Sequence, residues 1–392
     1  MRYTRYMRIL MASESFRPVL SGVAVSVERL ASHLHEQGHY VAVITGSPDR
    51  RYRVERHSNL VIFRLPSWPN PFRPGLRVAH PRWQLIERVL KEVQPDIIHI
   101  HDPGPLCMAL ASRSGYPIVA THHFTPDHIL RYLPDVPGLY PVVQGSLRRR
   151  LASLYRRCRK VTVPSHIVLG LIEDLCPKTP VEVLSNGVEV DRFKDASASD
   201  LRKKLGLSAS AHLLLYIGRL DPEKEVELLV RAMTDLAMKG DYHLVIAGKG
   251  RSQEEWQQLA EELGVAERIH WLAPVAPQSN DLVELYRGAD IFCMPSPFET
   301  ESIASMEAMA AGLPIVCSGQ GAVPELVVPS EAGVVAPKAD GRSWAAAIHR
   351  LASSPEERIQ MGKSGQTWIK RRDIKKVTER LERLYAEVLE RK

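Results

Sequence analysis

Aromatic residues make up only 6% of this 392-residue chain, and several other signatures are missing altogether. The five cysteines (Cys107, Cys158, Cys176, Cys293, Cys317) form no C-x-x-C pair, and each lies in or near an apolar segment. This argues against a disulfide frame or a zinc ribbon, and for reduced, mostly buried thiols in a cytosolic protein. No run approaches the roughly 18 apolar residues that a transmembrane helix needs. The opening MRYTRYMRILMA has the charge of a signal peptide, but its apolar core of about six residues is short of an h-region. Met7–Ala12 reads as the first buried strand, with Met7 as an alternative start to Met1. Low-complexity tracts are absent too, and a chain 44% hydrophobic and 25% charged is globular and long enough for two domains.

What is present begins with charge. Of the formal +7, residues up to Gly187 hold 25 Lys+Arg against 14 Asp+Glu, a balance of +11, while Val188 onward holds 27 against 31, a balance of −4. The basic half is expected to face something anionic.

Short apolar runs alternate with helical patterns, which predicts an α/β protein with parallel sheets wrapped by helices. The first unit runs from strand Met7–Ala12 through loop Ser13–Gly22, a helix with Val23, Val27, Leu30, Ala31 and Leu34 on one face, and strand Val41–Thr45. Gly22, at the helix start, would let a phosphate or sugar approach the backbone, although a plain turn fits equally. Residues 65–81 hold five prolines and read as a long loop. Strand Asp96–His101 puts His99 and His101 on one face, and the following strand ends in His122-His123. Four histidines at neighbouring strand ends suit polar hydroxyls better than a metal, since no Asp or Glu is placed to complete a coordination shell; His99 reads as a packing residue.

Leu147–Val161 puts Leu147, Leu151, Leu154 and Cys158 on one helical face and seven basic residues on the others, among them Arg148, Arg149, Arg150, Arg156 and Arg157. No acidic residue within the segment offsets them. The apolar stripe predicts packing on a sheet, and the basic face a phosphate-rich surface. A single aromatic, Tyr155, weakens nucleic acid as that partner. SNGVEVDRF (Ser185–Phe193) reads as the link between an N-terminal domain, 1–187, and a C-terminal domain, 188–372; the amphipathic tail 373–392 is long enough, at roughly 30 Å, to cross back to the first.

The second half holds the densest cluster. In FETESIASMEAMAAGLP (Phe298–Pro314), Glu299 falls in the loop after an apolar strand and Glu307 within the next helix, so that Glu299 is presented outside the carboxyl end of a sheet. Amides near Ser302 and Ile303 would open that helix and attract phosphate. Earlier, GRLDPEK (Gly218–Lys224) places Arg219 and Lys224 where two cations could hold a diphosphate, with Lys-Glu pairing along a surface helix as the alternative.

Taken together, GRLDPEK, the E-x7-E spacing, SNGVEVDRF, HIHDP and SGVAVSVERLASHL resemble the retaining GT-B glycosyltransferases of family 4, the glycosyl transferases group 1. The resemblance implies two Rossmann-like domains facing a cleft, the C-terminal one binding a nucleoside diphosphate sugar, with no cofactor and no metal. Carried over, Gly218, Arg219 and Lys224 would lie at the diphosphate, Glu307 at the ribose and Glu299 at the transferred hexose. Gly22 would lie beside the phosphates, and His101 would face sugar and acceptor, which makes His101, Arg219, Lys224 and Glu299 the catalytic candidates. Base recognition is expected from backbone near His270–Val275. Ser302 departs from the glycine common in members. The absence of any D-x-D pair disfavours the metal-chelating alternative fold.

THHFTPDHIL (Thr121–Leu130) and the ETES run are similar to members that glucosylate diacylglycerol, with His122 where asparagine is expected. That narrows the expected function to transfer from an NDP-sugar, UDP first, to a membrane lipid at an anionic inner surface, with His122, His123 and the five arginines at the acceptor. Three other readings stay open: a sugar-nucleotide epimerase on the same fold, a non-catalytic binding protein in which Glu299 and Lys224 are merely surface charges, and transfer to a soluble acceptor.

Overall fold

The computed structural model describes residues 6–19, 21–58, 60–70, 77–124, 138–194 and 200–390. The chain forms two compact units, Met1–Gly187 with Ile374–Lys392, and Val188–Asp373.

The first unit is built on β1 (Arg8–Ala12), β2 (Tyr40–Gly46), β3 (Arg53–His57), β4 (Leu60–Leu65), β5 (Ser67–Pro69), β6 (Arg77–Ala79), β7 (Ile97–Ile100), β8 (Ile118–Thr121), β9 (Lys160–Val163) and β10 (Val181–Val183). Eight of these form one sheet in the order β10-β9-β8-β7-β1-β2-β4-β3. Every pairing is parallel except the edge hairpin β3–β4. Alternation along β1 divides the core: Leu10 and Ala12 pack with helices Trp83–Val93, Pro105–Arg113 and Leu139–Tyr155, while Ile9 and Met11 pack with helices Gly22–Glu36 and Ile374–Glu390. The tail helix contributes Ile374, Val377, Leu381, Leu384, Tyr385 and Val388, all buried, so its apolar stripe belongs to the first unit's core. Its Tyr385 hydroxyl lies 2.6 Å from Nδ1 of His99, whose Nε2 is 2.7 Å from Thr121 Oγ1. His99 is thereby a satisfied core residue.

Several elements differ from the sequence-based expectation. The proline-rich stretch carries a small antiparallel pair, β5–β6, although residues 71–76 of it lie outside the described residues. The basic helix spans Leu139–Tyr155, so Cys158 lies beyond it yet is still buried. All five cysteines are free and buried.

The second unit comprises β11 (His212–Ile217), β12 (Tyr242–Ala247), β13 (Ile269–Leu272), β14 (Ile291–Met294), β15 (Ile315–Cys317) and β16 (Gly333–Val335). They form a parallel sheet in the order β13-β12-β11-β14-β15-β16. Runs such as LLLY in β11 and IFCM in β14 are buried throughout, as strands covered on both faces must be. Counted within the unit the order is 3-2-1-4-5-6, the doubly wound arrangement whose direction reverses between β11 and β14. Such a sheet takes its ligand at the carboxyl ends of those two strands.

Candidate functional site

Two loops leave the sheet at that reversal, one after β11 and one after β14. Lys224 ends the 3-10 turn Pro222–Lys224, and its Nζ meets Glu299 Oε1 at 2.5 Å across the switch point. Neither side chain is more than 16% exposed, so the pair is shielded well beyond a surface salt bridge. Arg219 donates to Glu223 Oε1 at 2.6 Å and also to Asp221, which fixes the guanidinium plane; Glu223 is fully buried. The buried Tyr216 hydroxyl, which donates to the Arg219 carbonyl at 2.8 Å, is pushed well above the usual phenol range. Burial is the main cause, followed by Glu299, against Arg219, and then Glu223 and Asp221. Both acidic and basic members of the two loops thus act on one phenol.

Neighbouring loops lock this arrangement. Leu220 N–H donates to Lys249 O at 3.1 Å, Ser252 N–H to Leu220 O at 2.9 Å, and Ala322 N–H to Glu299 O at 2.9 Å. Gly248, in the GKG turn, passes so close that a Cβ there would lie 1.8 Å from Gly218 O. Gly321 combines φ +72° with a Cβ position 2.8 Å from Pro297 O, so the β15 loop also presses on the Glu299 loop only because it is glycine.

Helix Ile303–Ala311 begins at Ser302, whose φ of +71° is unusual for a residue with a side chain and costs about 1–2 kcal/mol. Its hydroxyl accepts from Ser305 N–H at 3.3 Å and its carbonyl from Met306 N–H at 3.1 Å, so this cap does not use the amides of Ile303 and Ala304. Glu307 follows on the buried face and accepts from the Tyr286 hydroxyl at 3.0 Å. Glu301, 1% exposed, is ion-paired with Arg372.

The first unit presents a different chemistry. His101, at the end of β7, is fully buried, with Nδ1 3.0 Å from His123 Nε2; His122 Nδ1 lies 2.5 Å from the Tyr155 hydroxyl. Burial lowers the pKa of His123 to about 3 and His122 to about 4, and takes His101 well below its usual value, so all three imidazoles are neutral. Among the described residues, Nε2 of His101 and of His122 meets no hydrogen-bond partner. Beside His101, Asp102 accepts from Glu14 N–H at 2.6 Å and Gly104 N–H at 2.9 Å, while Glu14 accepts from Ala79 and Leu106 N–H. Burial, then the Asp102 carboxyl, pushes Glu14 up to about 8. Gly22 is exposed and opens helix Gly22–Glu36, capped by Ser21, with nothing within 4 Å of where a Cβ would sit.

The basic helix is partly answered by acid from outside its own segment: Arg148 pairs with Asp174 of the 3-10 turn Glu173–Leu175. Arg149, Arg150, Arg156 and Arg157 are exposed, and Arg150 reaches the Pro103 carbonyl at 3.1 Å. Tyr140 and Val142, 46% and 65% exposed, add apolar surface at the same helix's start. Residues 125–130 of THHFTPDHIL lie outside the described residues.

Tyr286 and Arg372 had no marker in the sequence as site residues, whereas Asp221 and Glu223 lie inside GRLDPEK, which suggests Lys-Glu pairing but does not announce the partners of Arg219. Tyr286 and Arg372 reach their partners from 21 and 71 positions away, and no local spacing announces them. Among the described residues no group of three or more His, Cys, Asp or Glu is arranged to hold a metal ion, and no helix is long and apolar enough to cross a membrane.

Residues 197–368 match the family described as glycosyl transferases group 1, and residues 20–192 match glycosyltransferase family 4. The chain is 32% identical to a D-inositol 3-phosphate glycosyltransferase of Saccharomonospora viridis, over 94% of this chain and 89% of that one. It is 28% identical to an alpha-monoglucosyldiacylglycerol synthase of Streptococcus pneumoniae, over 80% and 71%. Among solved structures, a sucrose-phosphate synthase from Thermosynechococcus elongatus superposes with a TM-score of 0.82 at 20% identity, covering 97% of this chain and 98% of that one.

Proposed function

The chain belongs to glycosyltransferase family 4, has the GT-B fold and is a glycosyltransferase, and from that premise we propose that it moves a glucose- or mannose-type hexose from a UDP-sugar to a lipid hydroxyl, keeping the α configuration. The observation that carries this reading is the meeting of Lys224 and Glu299 across the β11/β14 switch point. In the proposed complex, Arg219, Lys224 and the amides of Ile303 and Ala304 face the diphosphate. Glu299 accepts from hexose hydroxyls and Glu307, oriented by Tyr286, from the ribose diol.

The bond from the anomeric carbon to the phosphate oxygen breaks and a bond to the acceptor oxygen forms on the same face, the acceptor proton passing to the departing phosphate oxygen. Negative charge grows on the diphosphate as it leaves. Cations and amides already in place stabilise it without reorganising, a contact typically worth about 3–4 kcal/mol, and no metal is required. The His101 ring nitrogen left over from the bond to His123, Nε2, suits a hydroxyl of sugar or acceptor, since a neutral imidazole nitrogen donates or accepts according to its tautomer.

A lipid acceptor such as diacylglycerol or a lipid-linked glycan is supported by the similarity to the alpha-monoglucosyldiacylglycerol synthase and by the exposed arginines in and just after the helix whose start exposes Tyr140 and Val142. Those groups would hold the protein on the inner face of an anionic membrane. The test supplies labelled nucleotide sugars together with anionic vesicles containing diacylglycerol. The expected result is an α-linked glycolipid and flotation of the protein with vesicles at low salt that weakens at high salt. Transfer only to soluble alcohols, with no flotation, would favour the soluble-acceptor reading; exchange of sugar configuration without transfer would favour an epimerase.

A further inference from the structure

The segment joining Glu299 to helix Ile303–Ala311 contains two costly features side by side. Glu301 places a carboxylate at 1% exposure, and the next residue, Ser302, takes φ +71° and ψ 91°. A carboxylate that deep requires a charged partner, and the positive φ must be held by its surroundings. The first need is met by Arg372, whose guanidinium binds Glu301 Oε1.

Arg372 is itself anchored. It closes the 3-10 turn Lys370–Arg372, its guanidinium lies 5.0 Å from the Trp368 ring centroid, and its carbonyl accepts from Val188 N–H at 3.0 Å. Val188 also pairs with Asp373 in an isolated parallel bridge. Val188 and Asp373 are the first and last residues of the second unit. The loop carrying Glu299 is therefore fastened, through Arg372, to the bridged residues by which the chain enters and leaves that unit.

We propose that the Glu301–Arg372 ion pair is a positioning clamp for donor recognition, holding residues 299–302 in the path that turns Glu299 toward Lys224 and leaves the Ile303 and Ala304 amides to the diphosphate. Neither partner touches the donor; both act through the loop. The inference rests on the reading of this loop as the nucleoside diphosphate sugar site and deepens it. A purely structural role would make the pair no more than mutual neutralisation of two buried charges, and that alternative has a different signature.

The test uses the full chain, with donor KM and kcat measured from diphosphate release and thermal melting measured in parallel. Glu301→Gln or Arg372→Met alone leaves one charge unmatched, and each should lower Tm and reduce kcat/KM at least about tenfold. The double variant Glu301→Gln/Arg372→Met removes both charges, so Tm should largely recover while donor KM stays about tenfold high, because the tether is gone. Adding Ser302→Gly relieves the positive φ and should return KM to within about threefold of the wild type.

A double variant with both Tm and donor KM at wild-type values would overturn the clamp, leaving charge neutralisation as the pair's role. So would a triple variant whose KM is no better than that of the double. A wild-type chain that neither binds nor cleaves any nucleotide sugar would bring down the underlying reading and this inference together. An active wild type with indifferent variants would bring down the inference alone.

Discussion

At the carboxyl end of the six-stranded sheet, four ion pairs among the described residues (Lys224–Glu299, Arg219–Asp221, Arg219–Glu223 and Arg372–Glu301) gather at two loops, whereas at the carboxyl end of the eight-stranded sheet His101, His122 and His123 are buried and neutral. The contrast runs against net charge. Residues up to Gly187 carry +11 yet present uncharged imidazoles, and the remainder carries −4 yet concentrates its cations at the switch point. Bulk charge therefore reports on the outer face of the first unit, where the exposed arginines lie, and not on the chemistry at its strand ends. Desolvation separates the two strand ends chemically: paired ions gather at the second unit's switch point, and neutral imidazoles at the first unit's strand ends.

The largest effect expected from breaking this division is at Lys224. Lys224→Met should lower kcat by about a hundredfold or more with an unchanged circular dichroism spectrum, while His101→Ala should cost only about tenfold. Steady-state kinetics with one donor would check both, and equal losses would erase the contrast. Next is His99, which belongs to the core. His99→Phe removes its bonds to Tyr385 and Thr121 and should cost about 2–3 kcal/mol in denaturant melts while leaving kcat of the folded fraction intact.

The pH dependence sharpens the comparison further. Histidines whose folded pKa lies at about 3 to 4 take up protons more readily once unfolded, so stability is full above pH 6.5 and is lost as pH falls toward those values. His99→Phe carries one such group fewer, and its unfolding free energy should fall less steeply between pH 6.5 and 4, by up to about 1.4 kcal/mol per pH unit.

At Glu14 the sign is opposite. Its carboxyl, raised to about 8, favours the protonated form in the fold, so its contribution is present at acidic pH and is lost as pH rises toward 8. The stability gap between wild type and Glu14→Gln should therefore narrow from pH 5 to pH 8; a gap that widens would contradict the raised value.

Much of the fold was legible because parallel strands covered on both faces leave continuous apolar runs, as in β11 and β14. Helix Pro105–Arg113 was not, because PLCMALASR is small, apolar and weakly amphipathic, with only a proline at its start to announce it. Nor was β3, whose RVERH sequence carries the charge of an edge strand. In the site, Glu299 and Glu307 could be read from spacing and Arg219 and Lys224 from their position after a strand. Their partners could not: Tyr286, Arg372 and Asp174 are joined to the site residues or to the basic helix only by the fold. The strained φ of Ser302 was invisible too, since serine at a helix start ordinarily implies an extended cap.

The division of labour is tested most directly by titrating uridine diphosphate into the wild-type chain, Lys224→Met and His101→Ala by calorimetry. Affinity should fall at least about tenfold in Lys224→Met and stay within about twofold in His101→Ala. Wild-type affinity in Lys224→Met, or a loss confined to His101→Ala, would contradict the assignment of the diphosphate to the charged loops of the second unit.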